Sequence, residues 1–224
     1  MPKDRIMTNR SNKLPDYVKD CLRNTANSIG AALDFLEWPN GGVDAHPDEH
    51  NVTAYLQACM SHLEPSFHFY SEARIGEKNG RLDLLASNGE LSLAIEAKGF
   101  GNISNQSSQL INDVERLLNF SPSCFKAEGF TNRQWWETSS QRWGLALILS
   151  FRGSDLQEAW CMDDDGAAMA ALRKRRWGSD PESPFMKLRG LNWTERFAHK
   201  IQMDDRWRTT TADGWLLCGA VALS

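Results

Sequence analysis

No apolar run in this chain approaches the ~20 residues that a helix needs to cross a bilayer, so no segment is a candidate spanning helix and no membrane partner is expected. The five cysteines are an odd number with no CxxC pair. That removes a disulfide framework and a thiol-redox motif, and leaves reduced thiols in a cytosol as the expectation. The opening stretch MPKDRIMTNRSNKLP has no apolar core, so a secretory leader is not expected and a cytoplasmic location is. There is no internal repeat, no glycine-rich phosphate cradle and no nucleophile elbow, which sets aside solenoids, P-loop enzymes and serine hydrolases of the α/β type. His46 and His50 flank Glu49 at helical spacing, yet no Cys/His cluster completes a zinc site. A net charge of −4 is not that of a general nucleic-acid binder.

What remains is ordinary globular usage. With 224 residues, 41% hydrophobic and 24% charged, the chain is long enough to bury a sizeable core as a single domain, 1–224.

Its most informative stretch is RLDLLASNGELSLAIEAK, residues 81–98. Two apolar runs, RLDLLA and LSLAIEAK, flank Ser87-Asn88-Gly89-Glu90. Asn-Gly between strand-like runs signals a hairpin, because a two-residue primed turn needs positive φ at both central positions. With Asn88-Gly89 central, Ser87 faces Glu90, Asp83 faces Ala94 and Arg81 faces Glu96. Side chains alternate along a strand, so Glu96 and Lys98 share a face and Asp83 joins them, diagonal to Glu96. Diagonal neighbours sit roughly 7–8 Å apart, within reach of one shared metal ion. Leu82, Leu84, Leu91, Leu93 and Ile95 fill the other face and require a core. The plainer reading makes Arg81–Glu96 a cross-strand ion pair and Lys98 a solvated strand end.

Two hard carboxylates on a rigid hairpin suit Mg²⁺ or Mn²⁺. Such an ion polarises a phosphoryl oxygen and lowers the pKa of a bound water. A lysine beside it can orient that water and stabilise charge on phosphorus. Asp83, twelve intervening residues and Glu96-Ala97-Lys98, set in strand–turn–strand, resemble the core motif of the PD-(D/E)XK nuclease superfamily. The resemblance covers roughly residues 47–151. It implies a restriction-endonuclease-like α/β fold: an αβββαβ core, a mixed central sheet and flanking helices. It also implies a Mg²⁺-dependent endonuclease in which Asp83 and Glu96 hold the metal, the Ala97 carbonyl adds a ligand and Lys98 serves the water. Leu82 stands where the motif usually has proline.

The neighbouring patterns agree with that order of elements. Residues 47–64 read as a helix, with Val52, Tyr55, Leu56, Cys59, Met60 and Leu63 at helical spacing and Pro65 as the stop. The superfamily often places a further acid on this helix, and Glu49 matches by position. Acids in a first turn also favour the helix dipole without any metal, and Glu72, on the strand expected at 67–75, is the alternative. Gly99-Phe100-Gly101-Asn102 reads as a loop. A helix follows from Ser104, with Leu110, Val114, Leu117 and Leu118 in its stripe, ending before Pro122. Gln106 and Gln109 lie in its first turns; relatives of this fold can turn a glutamine there toward the site, while a solvated face is the plainer reading. A buried strand at 143–151, a helix from about Asp155 to Arg176, and a strand or helix from Trp215 to Leu223 complete the core. Residues 1–46 are expected as an N-terminal helical extension; 122–142 and 173–210 take no assignment.

Charge is unevenly distributed. Residues 1–172 hold 15 basic and 23 acidic side chains, whereas 173–208 hold ten basic and five acidic. Arg173, Lys174, Arg175 and Arg176 open the basic segment, and Trp177, Trp193 and Trp207 interleave it. Such a segment can neutralise phosphate and stack on unpaired bases; basic residues at a helix C-terminus also simply favour the dipole. Trp135-Trp136 is either a core anchor or a docking patch for another protein. Two functions follow as expectations. One is a metal-dependent nuclease acting on DNA, in a restriction, repair, transposition or defence setting, with a protein partner or second subunit supplying the target. The other is a nuclease-like module that recruits nucleic acid or a protein without cutting.

Overall fold

A computed structural model of the chain describes residues 13–35, 49–75, 80–99, 103–120, 134, 136–151, 154–175, 180–203 and 214–223. Six strands form one mixed sheet: β1 (His68–Ile75), β2 (Gly80–Ser87), β3 (Leu91–Gly99), β4 (Gln141–Ser150), β5 (Glu195–Ile201) and β6 (Gly214–Ala222), in the spatial order β1-β2-β3-β4-β6-β5. Only β3 and β4 run parallel; the other neighbours are antiparallel. Among the described residues these helices accompany the sheet: α1 (Asp16–Phe35), α2 (Glu49–Leu63), α3 (Ile103–Leu118), α4 (Ser154–Cys161), α5 (Asp165–Ala171) and α6 (Pro184–Arg189).

The helices divide between the two faces. α1 and α2 bury Val18, Leu22, Ile29, Val52, Leu56 and Met60 against Leu84, Leu93, Ile95, Leu145 and Leu216. The opposite face packs Leu110, Val114 and Leu117 of α3, with Trp160 and Phe185, onto Ala94, Ala146, Ile148 and Leu217. A strand covered on both faces must be apolar on both, which is why β3 and β4 read as near-continuous hydrophobic runs rather than alternations. α1 is no loose appendage. Glu195 on β5 accepts from the Leu14 backbone N–H at 2.6 Å and from Lys19 Nζ at 2.6 Å, fastening the helix start to the sheet edge.

Several expectations need correction. The helix expected over 155–176 is two short helices. The chain breaks at Asp163-Asp164, where Asp164 caps α5 by accepting from Ala167 N–H at 2.6 Å, so its side chain competes with helix continuation. Leu63, expected in the buried stripe of α2, is 47% exposed in its last turn. The run from Trp215 resolves as strand β6. Within the unassigned segment 173–210 lie α6 and β5. Gly219 on β6 is required by close approach, since a Cβ would come within 2.6 Å of the Trp193 ring. Trp193 is thus packing rather than a base-stacking platform, and it also meets Trp160 edge-on at 5.8 Å. Trp136 is a core anchor, fully buried and edge-on to Phe120 at 4.5 Å. Trp135, Trp177 and Trp207 lie outside the described residues.

Candidate active site

The hairpin forms, but with a turn two residues wide at a different place. Leu84 pairs with Ile95, Leu85 with Ala94 and Ser87 with Ser92. Gly89-Glu90 are therefore the central pair, and Gly89 takes φ 87°. Glycine with positive φ at the first central position is the chemistry of a type II′ turn, in contrast to the type I′ turn expected at Asn88-Gly89. Asn88 instead uses its side chain: Oδ1 accepts from Leu91 N–H at 2.8 Å and Glu90 N–H at 3.1 Å. A register change of two preserves faces on β3, so Glu96 and Lys98 still share one. On β2 the alternation breaks at Asp83, since Leu84 packs with Leu93 and Ile95 while Leu82, expected beside it, packs with Ala94 on the α3 side. The register change does alter partners. The paired register runs to Leu84–Ile95, with Asp83 and Glu96 the next residues beyond it, and Arg81 no longer faces Glu96.

At that point the ladder gives way to side-chain chemistry. Ala97 N–H donates to Asp83 Oδ2 at 2.7 Å. That bond holds the Asp83 carboxylate in the seam between β2 and β3. Glu96 is 1% exposed, the one charged residue in the buried run of β3. Burial, followed by the Asp83 charge, pushes its carboxyl up to about 8, against the lowering pull of Arg116. Two carboxylates set near each other at low dielectric repel and call for a cation.

α3 provides one. Arg116 Nη2 donates to Glu96 Oε1 at 2.7 Å and lies 2.9 Å from Asp113 Oδ1. Asp113 Oδ2 is in turn 3.5 Å from Lys98 Nζ. Sequence reasoning misses Asp113 and Arg116 as site residues. The signal is there: Gln106, Gln109, Asp113 and Arg116 recur at three- and four-residue spacing, a polar stripe beside Leu110, Val114 and Leu117. The arginine expected to pair with Glu96 is Arg81; its guanidinium instead lies 3.4 Å from Glu72 Oε2.

The other candidates fall in different places. Glu72 falls between the Ser71–Leu84 and Ala73–Leu82 pairs, where the β1–β2 register skips it, and its φ of 54° is the one left-handed non-glycine conformation among the described residues. Such a backbone costs about 1–3 kcal/mol. Its carboxylate is engaged by Arg81 and lies 3.8 Å from His50 Nδ1. Glu49 opens α2, but its side chain lies outside the described residues, as does that of Gln106; Gln109 is exposed.

No family model, curated protein or solved structure matches this chain.

The basic segment is not one surface. Arg173 and Lys174 are exposed. Arg175 is not a free phosphate ligand, because Nε and Nη2 both donate to Asp155 at 2.6 Å. Arg176 lies outside the described residues. Arg189 and Arg196 point inward to backbone carbonyls, Arg189 Nε to Ala159 O at 2.8 Å and Arg196 Nη2 to Met162 O at 2.8 Å.

Among the described residues no three His, Cys, Asp or Glu side chains are grouped to hold a metal. Mg²⁺ does not demand three. It binds through one or two carboxylates and completes its shell with waters and substrate oxygens. A buried Glu96, its carboxyl raised by burial and then by the charge of the half-buried Asp83, fits that donor preference.

Proposed function

We propose that the protein is a metal-dependent nuclease of restriction-endonuclease-like fold that hydrolyses phosphodiester bonds, with DNA as its substrate. The observation carrying this reading is the juxtaposition on β2 and β3: Asp83 bonded to the Ala97 N–H beside a 1%-exposed Glu96, with Lys98 on the face of Glu96. The helix–three strands–helix–strand order through α2, β1–β3, α3 and β4, with β4 parallel to β3, supports it. Asp83 and Glu96 would hold Mg²⁺ or Mn²⁺, with the Ala97 carbonyl and Glu49 as further ligands implied by the resemblance. Bound there, the ion supplies Lewis-acid polarisation of the phosphoryl group and an acidified water.

The chain's own residues do the rest. Ala97 N–H fixes the orientation of Asp83. Lys98, half-buried and leaning on Asp113, is set to orient the attacking water and meet the charge that grows on phosphorus. Water adds to phosphorus, the P–O bond to the leaving sugar oxygen breaks, and that oxygen takes up a proton.

One observation favours the non-cutting alternative. Arg116 already neutralises Glu96, as in a relic site that has lost its metal. Lys98→Ala decides between them. It should bind Mn²⁺ and nucleic acid nearly as wild type, because the ammonium is no ligand and phosphate affinity is spread over many cations. It should cut about 10²–10³ more slowly, the usual loss for one positioned donor. Single-turnover cleavage of duplex, nicked, branched and single-stranded DNA and RNA, beside gel shifts on the same substrates, gives the answer. Equal cutting by both proteins would defeat the reading; binding without cutting by either would install the recruiting module.

A further inference from the structure

We infer that Arg116 is the resident counter-cation of the Asp83–Glu96 pair, and that a divalent ion enters this site by displacing its guanidinium from Glu96 onto Asp113. The inference rests on the metal-site reading above and adds a residue and an order of events to it.

The geometry is specific. Nη2 is shared between Glu96 Oε1 at 2.7 Å, Asp113 Oδ1 at 2.9 Å and the Arg81 carbonyl at 3.5 Å. The Glu96 oxygen it occupies is one that a metal would need. A guanidinium and a divalent cation cannot share that oxygen, since two cations at hydrogen-bond separation repel strongly at low dielectric. Nothing has to unfold for the exchange. Asp113 sits one helical turn before Arg116 and already contacts the same nitrogen, so a second seat is in place. The Arg116 side chain is 40% exposed, which leaves it an outward path. Asp113 also faces Lys98, so the displaced guanidinium would stay beside the lysine, adding positive charge where an anionic substrate approaches.

Competition has a measurable sign. A residue that merely held Glu96 in position would weaken metal binding when removed. Removing a competitor strengthens it. Arg116→Ala and Arg116→Met, the second keeping an aliphatic stem over the seam, should each bind Mn²⁺ about tenfold more tightly than wild type in titration calorimetry on the full chain, the order expected when a hydrogen bond to a charged group no longer has to be broken. Equal or weaker Mn²⁺ affinity in both variants, with binding still abolished in Asp83→Asn, would overturn the inference and leave the metal site standing. Mn²⁺ affinity that is absent in wild type but present in the Arg116 variants would support it. If none of the proteins binds Mn²⁺, the metal reading and this inference fall together. Should an Arg116 variant fail to fold in metal-free buffer, recovery of its folded circular-dichroism signal on adding Mn²⁺ supports displacement, and no recovery overturns it.

Discussion

Arginine meets acids in two regions of this protein, and the company it keeps differs. Behind β5, Arg189 and Arg196 are held by the carbonyls of Ala159, Met162, Asp164 and Arg189 itself, with Asp165 paired to Arg189 at the rim. On α3, Arg116 is held by carboxylates, one of them almost inaccessible. The protonation tendencies run in opposite directions. Burial, and for Arg189 the neighbouring Arg196 charge, lowers both arginines of the first region. Burial also works against Arg116, yet Glu96, Asp113 and Asp83 outweigh it and its affinity for the proton is raised. Neutral carbonyls satisfy a cation and make a brace. Facing acids leave an excess of negative charge at low dielectric, which is what a cation site requires.

If that distinction is right, breaking the brace should have the largest effect on melting and should not depend on metal. Arg189→Ala takes a donor from the buried Ala159 carbonyl and the part-buried Met162 and Asp164 carbonyls, and is expected to cost about 3 kcal/mol. At ~2–4 °C per kcal/mol for a chain of this size, melting should fall by about 10 °C. Thermal melts with and without Mn²⁺ should show the same metal-induced increment in wild type and variant; an increment lost with Arg189 would mean that the two regions are one.

The acid face should respond in the opposite manner. Mn²⁺ should raise the wild-type melting temperature, because a ligand of the folded state alone stabilises it by about 2.7 kcal/mol at a hundredfold excess over Kd. Asp83→Asn should lose most of that increment. In metal-free buffer above about pH 8, where Glu96 is charged, it should be no less stable than wild type, since one of two repelling charges is gone. An identical Mn²⁺ increment in both proteins would place the ion elsewhere.

Titration sharpens the comparison further. The Glu96 carboxyl sits at about 8 in the folded chain, above the ordinary glutamate value, so the folded state binds the extra proton between the two. Stability from this group is therefore greatest below the ordinary value and declines as pH rises through about 8. Metal-free wild type should lose about 4 kcal/mol between about pH 5 and about pH 9 from this source, and Glu96→Gln should flatten that decline. Denaturant unfolding across the range is the measurement, and a parallel decline in the variant would remove Glu96 as its cause.

The smallest effect is expected where the cations are exposed. Replacing Arg173 and Lys174 with serine should reduce the log–log salt slope of duplex binding by roughly 0.9 for each phosphate that is no longer neutralised. Arg175→Ser should change the slope less, because that side chain is already committed to Asp155. A slope unaffected by Arg173 and Lys174 would leave them as helix-end residues.

Much of this was legible beforehand, for local reasons. Apolar runs broken by Asn-Gly call for a hairpin whatever the turn type, and the shared face of Glu96 and Lys98 follows from the period of two, which a register change of two leaves intact, whereas Leu82, expected on the face of Leu84, packs on the other. The stripes of α2 and α3 likewise repeat within a few residues. The misses have physical causes too. Gly89 accepts positive φ more readily than Asn88, so the turn centres one residue later. Asp164 offers a cap in the middle of an expected helix. Basic residues at 189 and 196 look like a phosphate-binding surface because nothing in their spacing tells a solvated arginine from one folded back onto carbonyls.

By itself, then, the amino-acid order determined that a carboxylate and a lysine would close a buried strand on one face, with a second carboxylate on the strand before it. Periodicity and turn chemistry operate over a handful of residues, and they suffice for that. Only the tertiary structure decided that Asp83 and Glu96 meet just beyond the paired register, that the strand seam is held by Ala97 N–H, and that the cation on Glu96 is Arg116, twenty residues along the chain. Those facts depend on where α3 docks across β3. That docking is set by Leu110, Val114 and Leu117 finding the sheet, and the polar stripe of the same helix is carried to the acids by that packing.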